Sequence, residues 1–169
     1  MINKNIVLCG FMGSGKTTVG KQLAKITGMQ YIDLDQYIEK QQQTTIKSIF
    51  AEHGEEYFRE LEHNASKELS TKSNCIISTG GGTLLFDRNV SALKENGVIV
   101  LLDVPLSTIK YRLRNDKKRP LLQRPDKEKV MTELYNARLP LYKKSADYIV
   151  NATKLPLAVA KDIKALLIK

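Results

Sequence analysis

Short apolar runs alternate with segments in which apolar residues recur every three or four positions along the chain. The short runs are typical of buried strands, and the other segments are typical of helices that pack against a sheet. We therefore predict an α/β fold in which a parallel sheet carries helices on both faces. The predicted strands cover 5–9, 29–34, 75–78, 98–102 and 148–150. The predicted helices cover 16–26 (ended by Gly28), 35–43, 46–50 (capped by Thr44 or Thr45), 55–69, 87–96, 105–114, 129–138 and 157–168.

The composition is that of an ordinary globular domain, because 42% of the 169 residues are hydrophobic and 27% are charged. Collagen, a disordered tail and a coiled-coil rod are excluded, and no apolar run approaches the ~18 residues of a membrane span. The first residues do not form a secretory signal, since their apolar stretch is short and interrupted by glycines. Cys9 and Cys75 lie in apolar strands, so we expect buried free thiols and a reducing, cytoplasmic location. One domain over 1–169 is predicted.

Most of the positive charge lies in one segment. The formal net charge is +9, and residues 110–144 contain twelve basic and four acidic side chains. A solvated face, a surface for nucleic-acid phosphates, and a cleft for small, multiply anionic ligands would each explain this excess. Nucleic acid is the least favoured of the three, because the chain lacks aromatic stacking runs, zinc-finger spacing and an RNP-like motif.

The first glycine-rich loop has the pattern of a nucleotide phosphate-binding loop. Residues 10–17, GFMGSGKT, match G-x-x-x-x-G-K-[ST] and stand between a predicted strand and a predicted helix. Glycines let the backbone wrap a phosphate with its N–H groups, and the positive end of the helix points to the same place. We expect Lys16 to reach the β- and γ-phosphates and the Thr17 hydroxyl to join a magnesium shell. The motif predicts a nucleoside triphosphate with Mg²⁺ but leaves the acceptor open.

Candidate acceptor residues follow the second and third strands, at whose carboxyl ends ligands of such sheets bind. One of Asp33 and Asp35 could hold Mg²⁺ through water while the other orients and deprotonates a hydroxyl group. The alternative is a helix-capping aspartate beside a surface aspartate. The glycines at 80–82 would let a ligand approach the backbone closely, or they form a simple flexible turn.

Three arginines in separate segments are candidates for binding anions. Arg119 lies in a long basic loop at 115–127, which could close as a lid that excludes water and neutralises transferring charge. Arg59 follows Phe58 on a predicted helix, and Arg138 ends another helix. Two arginines from distant segments could clamp one carboxylate, although Arg59 alone could equally be solvated.

Six segments together resemble the shikimate kinase family over essentially the whole chain. They are GFMGSGKTT at 10–18, DLD at 33–35, FRELE at 58–62, STGGG at 78–82, RPLL at 119–122 and RLPLY at 138–142. The resemblance implies a three-layer, nucleoside-monophosphate-kinase-like P-loop fold with strand order 2-3-1-4-5. It also implies ATP-dependent phosphorylation of the shikimate 3-hydroxyl, giving 3-phosphoshikimate and ADP on the route to chorismate and aromatic amino acids. We expect a monomer that binds ATP and shikimate but neither a membrane nor nucleic acid.

The same resemblance implies a role for each matching residue. The implied catalytic residues are Lys16, Asp35 and Arg119. The implied ATP-binding residues are Gly13, Ser14, Gly15, Lys16, Thr17, Thr18, Arg112 (packed on adenine), Arg119, Lys154 and Pro156. The implied acceptor residues are Asp35, Arg59, Arg138, Gly81, Gly82, Glu62 (which holds the clamp) and the apolar wall of Ile46, Phe50 and Phe58. Thr17, and Asp33 through water, are the implied magnesium residues. The acceptor region spans about 33–62 and the lid about 112–127.

One departure from the usual nucleotide-site pattern concerns magnesium. Asp103 ends the fourth predicted strand, but Pro105 follows it, and the resemblance gives Asp103 no metal role. Residues 75–80 fit the family's substitute for the usual Walker B segment instead. Two alternatives remain: a related small-molecule kinase with a gluconate or nucleotide acceptor, and a nucleotide-dependent protein that binds nucleic acid through the basic segment. Arg112 could also be a solvated helix residue.

Overall fold

The computed structural model describes residues 4–167, in which five parallel strands form one sheet with helices packed against it. The strand order is β2-β3-β1-β4-β5, which confirms the predicted fold. The strands are β1 (Asn5–Cys9), β2 (Gln30–Asp33), β3 (Cys75–Ser78), β4 (Gly97–Asp103) and β5 (Tyr148–Asn151). The helices are α1 (Lys16–Thr27), α2 (Leu34–Gln42), α3 (Ile46–Ser70), α4 (Asp87–Glu95), α5 (Leu106–Leu113), α6 (Lys127–Ser145) and α7 (Pro156–Leu167).

The register of the central strands brings three loops to one edge of the sheet. Strand β1 lies between β3 and β4, and every residue of β1 is buried, as expected of a strand covered on both faces. Leu8 pairs with Ser78, which in turn pairs with Asp33 on β2. The loops that follow β1, β2 and β3 therefore leave the sheet side by side.

Most helix boundaries lie within two residues of the prediction. Gly28 ends α1 in a left-handed conformation, and the side chain of Thr45 caps α3 by accepting a hydrogen bond from the N–H of Ser48. The two helices predicted at 46–50 and 55–69 form α3, which is broken by Gly54 at φ +80°. Because this region of φ favours glycine, Gly54 marks the predicted division between them.

Helix α6 is longer than predicted, and the prediction that it ends at Arg138 is wrong. The helix begins at Lys127 and continues through Pro140 to Ser145. A proline removes one backbone donor and usually ends a helix. Here the last turns are held from outside, since Tyr142 is buried and its hydroxyl donates to the carbonyl of Gly81 over 2.6 Å.

The remaining expectations about the fold concern the cysteines, the end of the last helix and membrane spans. Cys9 and Cys75 are buried and unpaired, as predicted. The predicted end of the last helix, at residue 168, falls beyond the described residues. Within 4–167, no helix combines the length and the apolar character that crossing a bilayer requires.

Candidate active site

The loops at the carboxyl edge of the sheet enclose a cavity of about 1060 Å³. Ligand sites usually occupy about 300–1,000 Å³, so the cavity has room for a nucleotide and a small second molecule. Fifteen of the predicted site residues line it: Gly13, Ser14, Gly15, Lys16, Thr17, Thr18, Asp33, Asp35, Gly81, Gly82, Arg112, Arg119, Arg138, Lys154 and Pro156. Five do not contribute to the lining: Ile46, Phe50, Phe58, Arg59 and Glu62.

The phosphate-binding loop holds its lysine in a buried position. The ammonium group of Lys16 donates to the carbonyls of Gly10 and Phe11, over 2.6 and 3.2 Å. Burial lowers the pKa of Lys16 to about 8, although nearby Asp35 opposes this shift. The hydroxyl of Ser14 is buried and has no hydrogen-bond partner among the described residues. An unsatisfied donor beside a desolvated cation is the environment that phosphate oxygens would satisfy.

The residues expected at the magnesium site offer oxygen ligands. Asp33 caps α2, because its Oδ1 accepts the N–H of Gln36 over 3.0 Å, so the capping alternative is also realised. Asp33 and Thr17 both line the cavity. In residues 4–167 no cluster of three or more His, Cys, Asp or Glu side chains could hold a metal by itself. Mg²⁺ typically keeps several waters and takes few protein oxygens together with substrate phosphates, so this donor set fits it.

Asp35 has the electrostatic environment of a general base. It lies in the first turn of α2 and lines the cavity. Burial raises the pKa of Asp35 to about 6, the negative charges of Asp33 and Glu62 add to this shift, and Lys16 opposes it. A carboxylate that titrates close to neutral pH can accept a proton more readily than an ordinary aspartate.

Two arginines lie against neighbouring glycines of the turn at 80–82. A Cβ atom added to Gly81 would lie 3.1 Å from Nη1 of Arg138, and one added to Gly82 would lie 2.7 Å from Nη1 of Arg59. Adjacent Cα atoms are about 3.8 Å apart, so both guanidinium groups border the same short stretch of backbone. This spacing allows them to share one small anion, and only glycine leaves the space for Arg59.

Arg59 is held firmly rather than solvated. Its side chain is 18% exposed and donates to Glu62 over 2.9 Å and to Glu55 over 3.2 Å. Its guanidinium lies 5.3 Å from the ring centroids of both Phe58 and Phe86. Glu62 is 1% exposed, so the contact between Arg59 and Glu62 is buried. The structure thus provides the contact that the implied role of Glu62 requires.

The expected apolar wall is packed beside this arginine. The ring of Phe50 is 4.8 Å from that of Phe58, measured between centroids. Phe58 is buried, and Phe50 is 37% exposed, whereas Ile46 packs against the core from a partly buried position. None of the three lines the cavity described above.

Arg112 connects two segments of the cavity wall, because it donates to the carbonyls of Gly13 and Ala152 over 3.1 and 2.8 Å. Arg112 therefore links the phosphate-binding loop to the segment after β5 and is not a solvated helix residue.

In the expected lid, Arg119 forms an ion pair with Asp116, whose carboxylate also accepts the N–H of Lys118 over 2.8 Å. Lys154 pairs with Asp162 over 2.7 Å.

The structure adds three residues that the sequence did not single out for these positions: Thr83, Asp116 and Tyr142. Tyr142 follows Arg138 by four residues on α6, and this spacing on a helix was a usable signal, because such residues share a face. No comparable pattern marks Thr83, whose hydroxyl is bonded to Glu62. Asp103 ends β4 and is not among the residues that line the cavity.

A phosphate-binding loop and a carboxylate of raised pKa line one cavity, and two arginines border the glycine turn that forms part of its wall. These features define a P-loop kinase for a small anionic acceptor. The comparisons with known proteins specify the class further. The family model for shikimate kinase matches residues 12–167. A shikimate kinase of Caldicellulosiruptor bescii is 47% identical over 148 residues, covering 88% of this chain and 86% of the relative. One from Persephonella marina is 42% identical, covering 95% of this chain and 96% of the relative.

Solved structures agree with this assignment. Shikimate kinase from Acinetobacter baumannii in complex with shikimate superposes with a TM-score of 0.88 at 36% identity, covering 96% of this chain and 92% of that one. A gluconokinase from Sinorhizobium meliloti reaches a TM-score of 0.58 at 15% identity, which shows a shared fold alone. The chain belongs to the shikimate kinase family. The predicted class of enzyme, a kinase that uses ATP with Mg²⁺, is confirmed.

Proposed function

We propose that the chain transfers the γ-phosphoryl group of ATP to the 3-hydroxyl of shikimate, giving 3-phosphoshikimate and ADP. The observation that carries this proposal is the glycine turn at 80–82. A Cβ on Gly80 would lie 3.0 Å from Oδ1 of Asp35, and the next two glycines face Arg138 and Arg59. This arrangement supports a base and a carboxylate clamp on adjacent residues of one turn, in the cavity that the phosphate-binding loop also lines.

In the proposed mechanism transfer is direct. Asp35 accepts the proton of the acceptor hydroxyl, whose oxygen bonds to the γ-phosphorus while the bond to the β–γ bridging oxygen breaks. ADP leaves with that electron pair, and no phosphoenzyme forms. Lys16 and Arg119 neutralise charge on the transferring group, so catalysis comes mainly from positioning and electrostatic stabilisation.

The remaining residues bind and orient the two substrates. Residues 13–18 hold the phosphates, and Arg112, Lys154 and Pro156 border the adenine. Backbone N–H groups of Gly81 and Gly82 contact shikimate. Thr17, and Asp33 through water, would hold Mg²⁺, which when bound neutralises negative charge on the phosphates. Arg119 lines the cavity and is paired with Asp116, so closure of the proposed lid would exchange this ion pair for a contact with phosphate.

A coupled assay of ADP release with shikimate, quinate, gluconate and AMP as acceptors tests the proposal. Shikimate should give the highest kcat/KM, and preferential turnover of gluconate or AMP would replace it by one of the related kinases. Arg59→Ala should raise KM for shikimate by about tenfold or more, because a charge-assisted contact is lost. An equal loss with the uncharged carboxamide of shikimate would contradict the clamp.

We also propose that the enzyme is a single-domain, cytoplasmic monomer that does not bind nucleic acid. Two free, buried cysteines are consistent with a reducing compartment. Light scattering would give the mass in solution. Gel retardation of RNA or DNA that weakens with salt, together with absence of kinase activity, would favour the nucleic-acid alternative instead.

A further inference from the structure

Thr83 immediately follows the glycine turn and is completely buried, with 0% of its surface exposed. Each of its polar groups is engaged. Its N–H donates to the carbonyl of Gly80 over 3.3 Å, and its hydroxyl donates to Oε2 of Glu62 over 2.8 Å. Its carbonyl accepts from Nδ2 of Asn89 over 2.9 Å. Thr83 therefore joins the glycine turn to α3 through Glu62 and to α4 through Asn89.

The hydroxyl of Thr83 completes the surroundings of a buried carboxylate. Oε1 of Glu62 accepts from Arg59, and Oε2 accepts from Thr83. A buried carboxylate is stable only when its charge is paired and its oxygens are hydrogen-bonded. With one bond on each oxygen, the carboxylate plane is fixed, and the guanidinium that it holds is fixed as well.

We propose that Thr83 is a positioning residue for the carboxylate of the acceptor, an inference that rests on the proposed function. Its hydroxyl orients Glu62, Glu62 orients Arg59, and its backbone holds Gly82 against the same guanidinium. The Arg59 side chain and the glycine turn are the two walls of the clamp. Thr83 is bonded directly to the turn at Gly80 and is connected to Arg59 through Glu62. Thr83 acts only through these neighbours and is not a catalytic residue.

The two connections of Thr83 can be separated by substitution. Valine has nearly the shape of threonine, so Thr83→Val removes the hydroxyl while the backbone bonds to Gly80 and Asn89 remain possible. Oε2 of Glu62 then loses its hydrogen bond in a buried place, which favours rotation of the carboxylate and displacement of Arg59. Thr83→Ser keeps the donor and should restore the wild-type geometry.

Ser66 provides a matched control on the same helix. It is buried, and its hydroxyl donates over 2.8 Å to the backbone carbonyl of Glu62 rather than to the carboxylate. Ser66→Ala therefore removes a buried hydroxyl close to the clamp without touching the charged groups. A purely structural role of Thr83 would make the two variants behave alike towards the acceptor.

The experiment measures kcat, KM for both substrates, the calorimetric Kd for shikimate and the thermal midpoint of wild type, Thr83→Val, Thr83→Ser and Ser66→Ala. We expect Thr83→Val to raise KM and Kd for shikimate about five- to twentyfold while KM for ATP stays within twofold. Thr83→Ser and Ser66→Ala should keep both shikimate constants within about twofold of wild type. A wild-type Kd in Thr83→Val, or an equal rise in Ser66→Ala, would overturn the inference.

A second comparison tests whether the effect passes through Glu62. In a Glu62→Met background, adding Thr83→Val should change Kd for shikimate by less than about twofold, because methionine has no carboxylate for Thr83 to orient and the connection is already broken. A full additional loss in the double variant would show that Thr83 acts by another route and would overturn the inference. Failure of the wild-type chain to bind shikimate would instead refute the proposed function, so the two failures are distinguishable.

Discussion

Asp35→Asn should stabilise the folded protein while it removes the proposed base. Folding raises the pKa of this carboxyl from 3.8 to about 6, because burial disfavours its charge and Asp33 and Glu62 repel it, although Lys16 opposes the shift. Each tenfold change in proton affinity corresponds to about 1.4 kcal/mol, so the charged form costs at most about 3 kcal/mol at pH 7.5. Because Asp35 is partly exposed and its charge is screened, we expect Asp35→Asn to raise the free energy of unfolding by about 1–2 kcal/mol.

The unfolding free energy gained by Asp35→Asn should depend on pH in a defined direction. Because the folded state has the higher pKa, it binds the proton more tightly than the unfolded chain, and the cost develops as pH rises from about 4 to about 6. The difference in unfolding free energy between Asp35→Asn and wild type should therefore be largest above pH 7, fall to about half at pH 5, and disappear below pH 4. Urea denaturation at pH 7.5, 6.5, 5.0 and 3.5 measures it.

Glu56→Gln is the matched control, since Glu56 is exposed and the same chemical change there should alter stability by less than about 0.5 kcal/mol at any pH. In the same preparations, Asp35→Asn should lower kcat by about 100-fold or more while ATP binding changes little. In wild type, kcat/KM for shikimate should decline below about pH 6 as the base becomes protonated. A variant less stable than wild type at pH 7.5, or a gain at pH 3.5 as large as that at pH 7.5, would refute the electrostatic reasoning. Unchanged turnover would remove the base assignment.

Three further variants test separate parts of the site. Lys16→Met should abolish ADP release, because the charge facing the γ-phosphate is lost, yet leave the thermal midpoint within a few degrees, since a desolvated ammonium is removed with it. Gly82→Ala should raise KM for shikimate but not for ATP in steady-state kinetics, because its Cβ would lie 2.7 Å from Nη1 of Arg59. Asp116→Asn should tighten ATP binding by calorimetry about two- to tenfold, since it releases Arg119 from its ion pair; unchanged affinity would show that this pair does not compete with phosphate.

The centre of the fold was predictable because β1, β3 and β4 are buried on both faces and appear as nearly uninterrupted apolar runs. The apolar residues of β1 and β4 identify the centre of the sheet without reference to other strands. The error at α6 arises because a long-range contact overrides the local rule that a proline ends a helix. Pro140 predicts an end, but the bond from Tyr142 to Gly81, 61 positions away, holds the helix beyond it. Such a contact leaves no periodic pattern in the sequence.

The site also contains residues that the sequence predicts and residues that it does not. The phosphate-binding loop was predictable because its chemistry lies within eight consecutive residues. The roles of Arg59 and Arg138 came from resemblance, since nothing in their spacing shows that both reach one turn. Thr83 escaped detection because its hydroxyl bonds Glu62, 21 positions earlier, and a buried threonine in an apolar turn has the composition of ordinary core.

The glycine turn also limits the size of the acceptor. Asp35 borders Gly80, whereas the guanidinium groups border Gly81 and Gly82. Two residues of backbone span at most about 7 Å, so the proposed base and the proposed clamp lie close enough to be reached by the hydroxyl and the anionic group of one small acceptor. A six-membered ring with a carboxylate on one side and a hydroxyl on the other meets this condition. A nucleoside monophosphate would have to place its reacting phosphate at Asp35, where a second negative charge is opposed by the carboxylate already there.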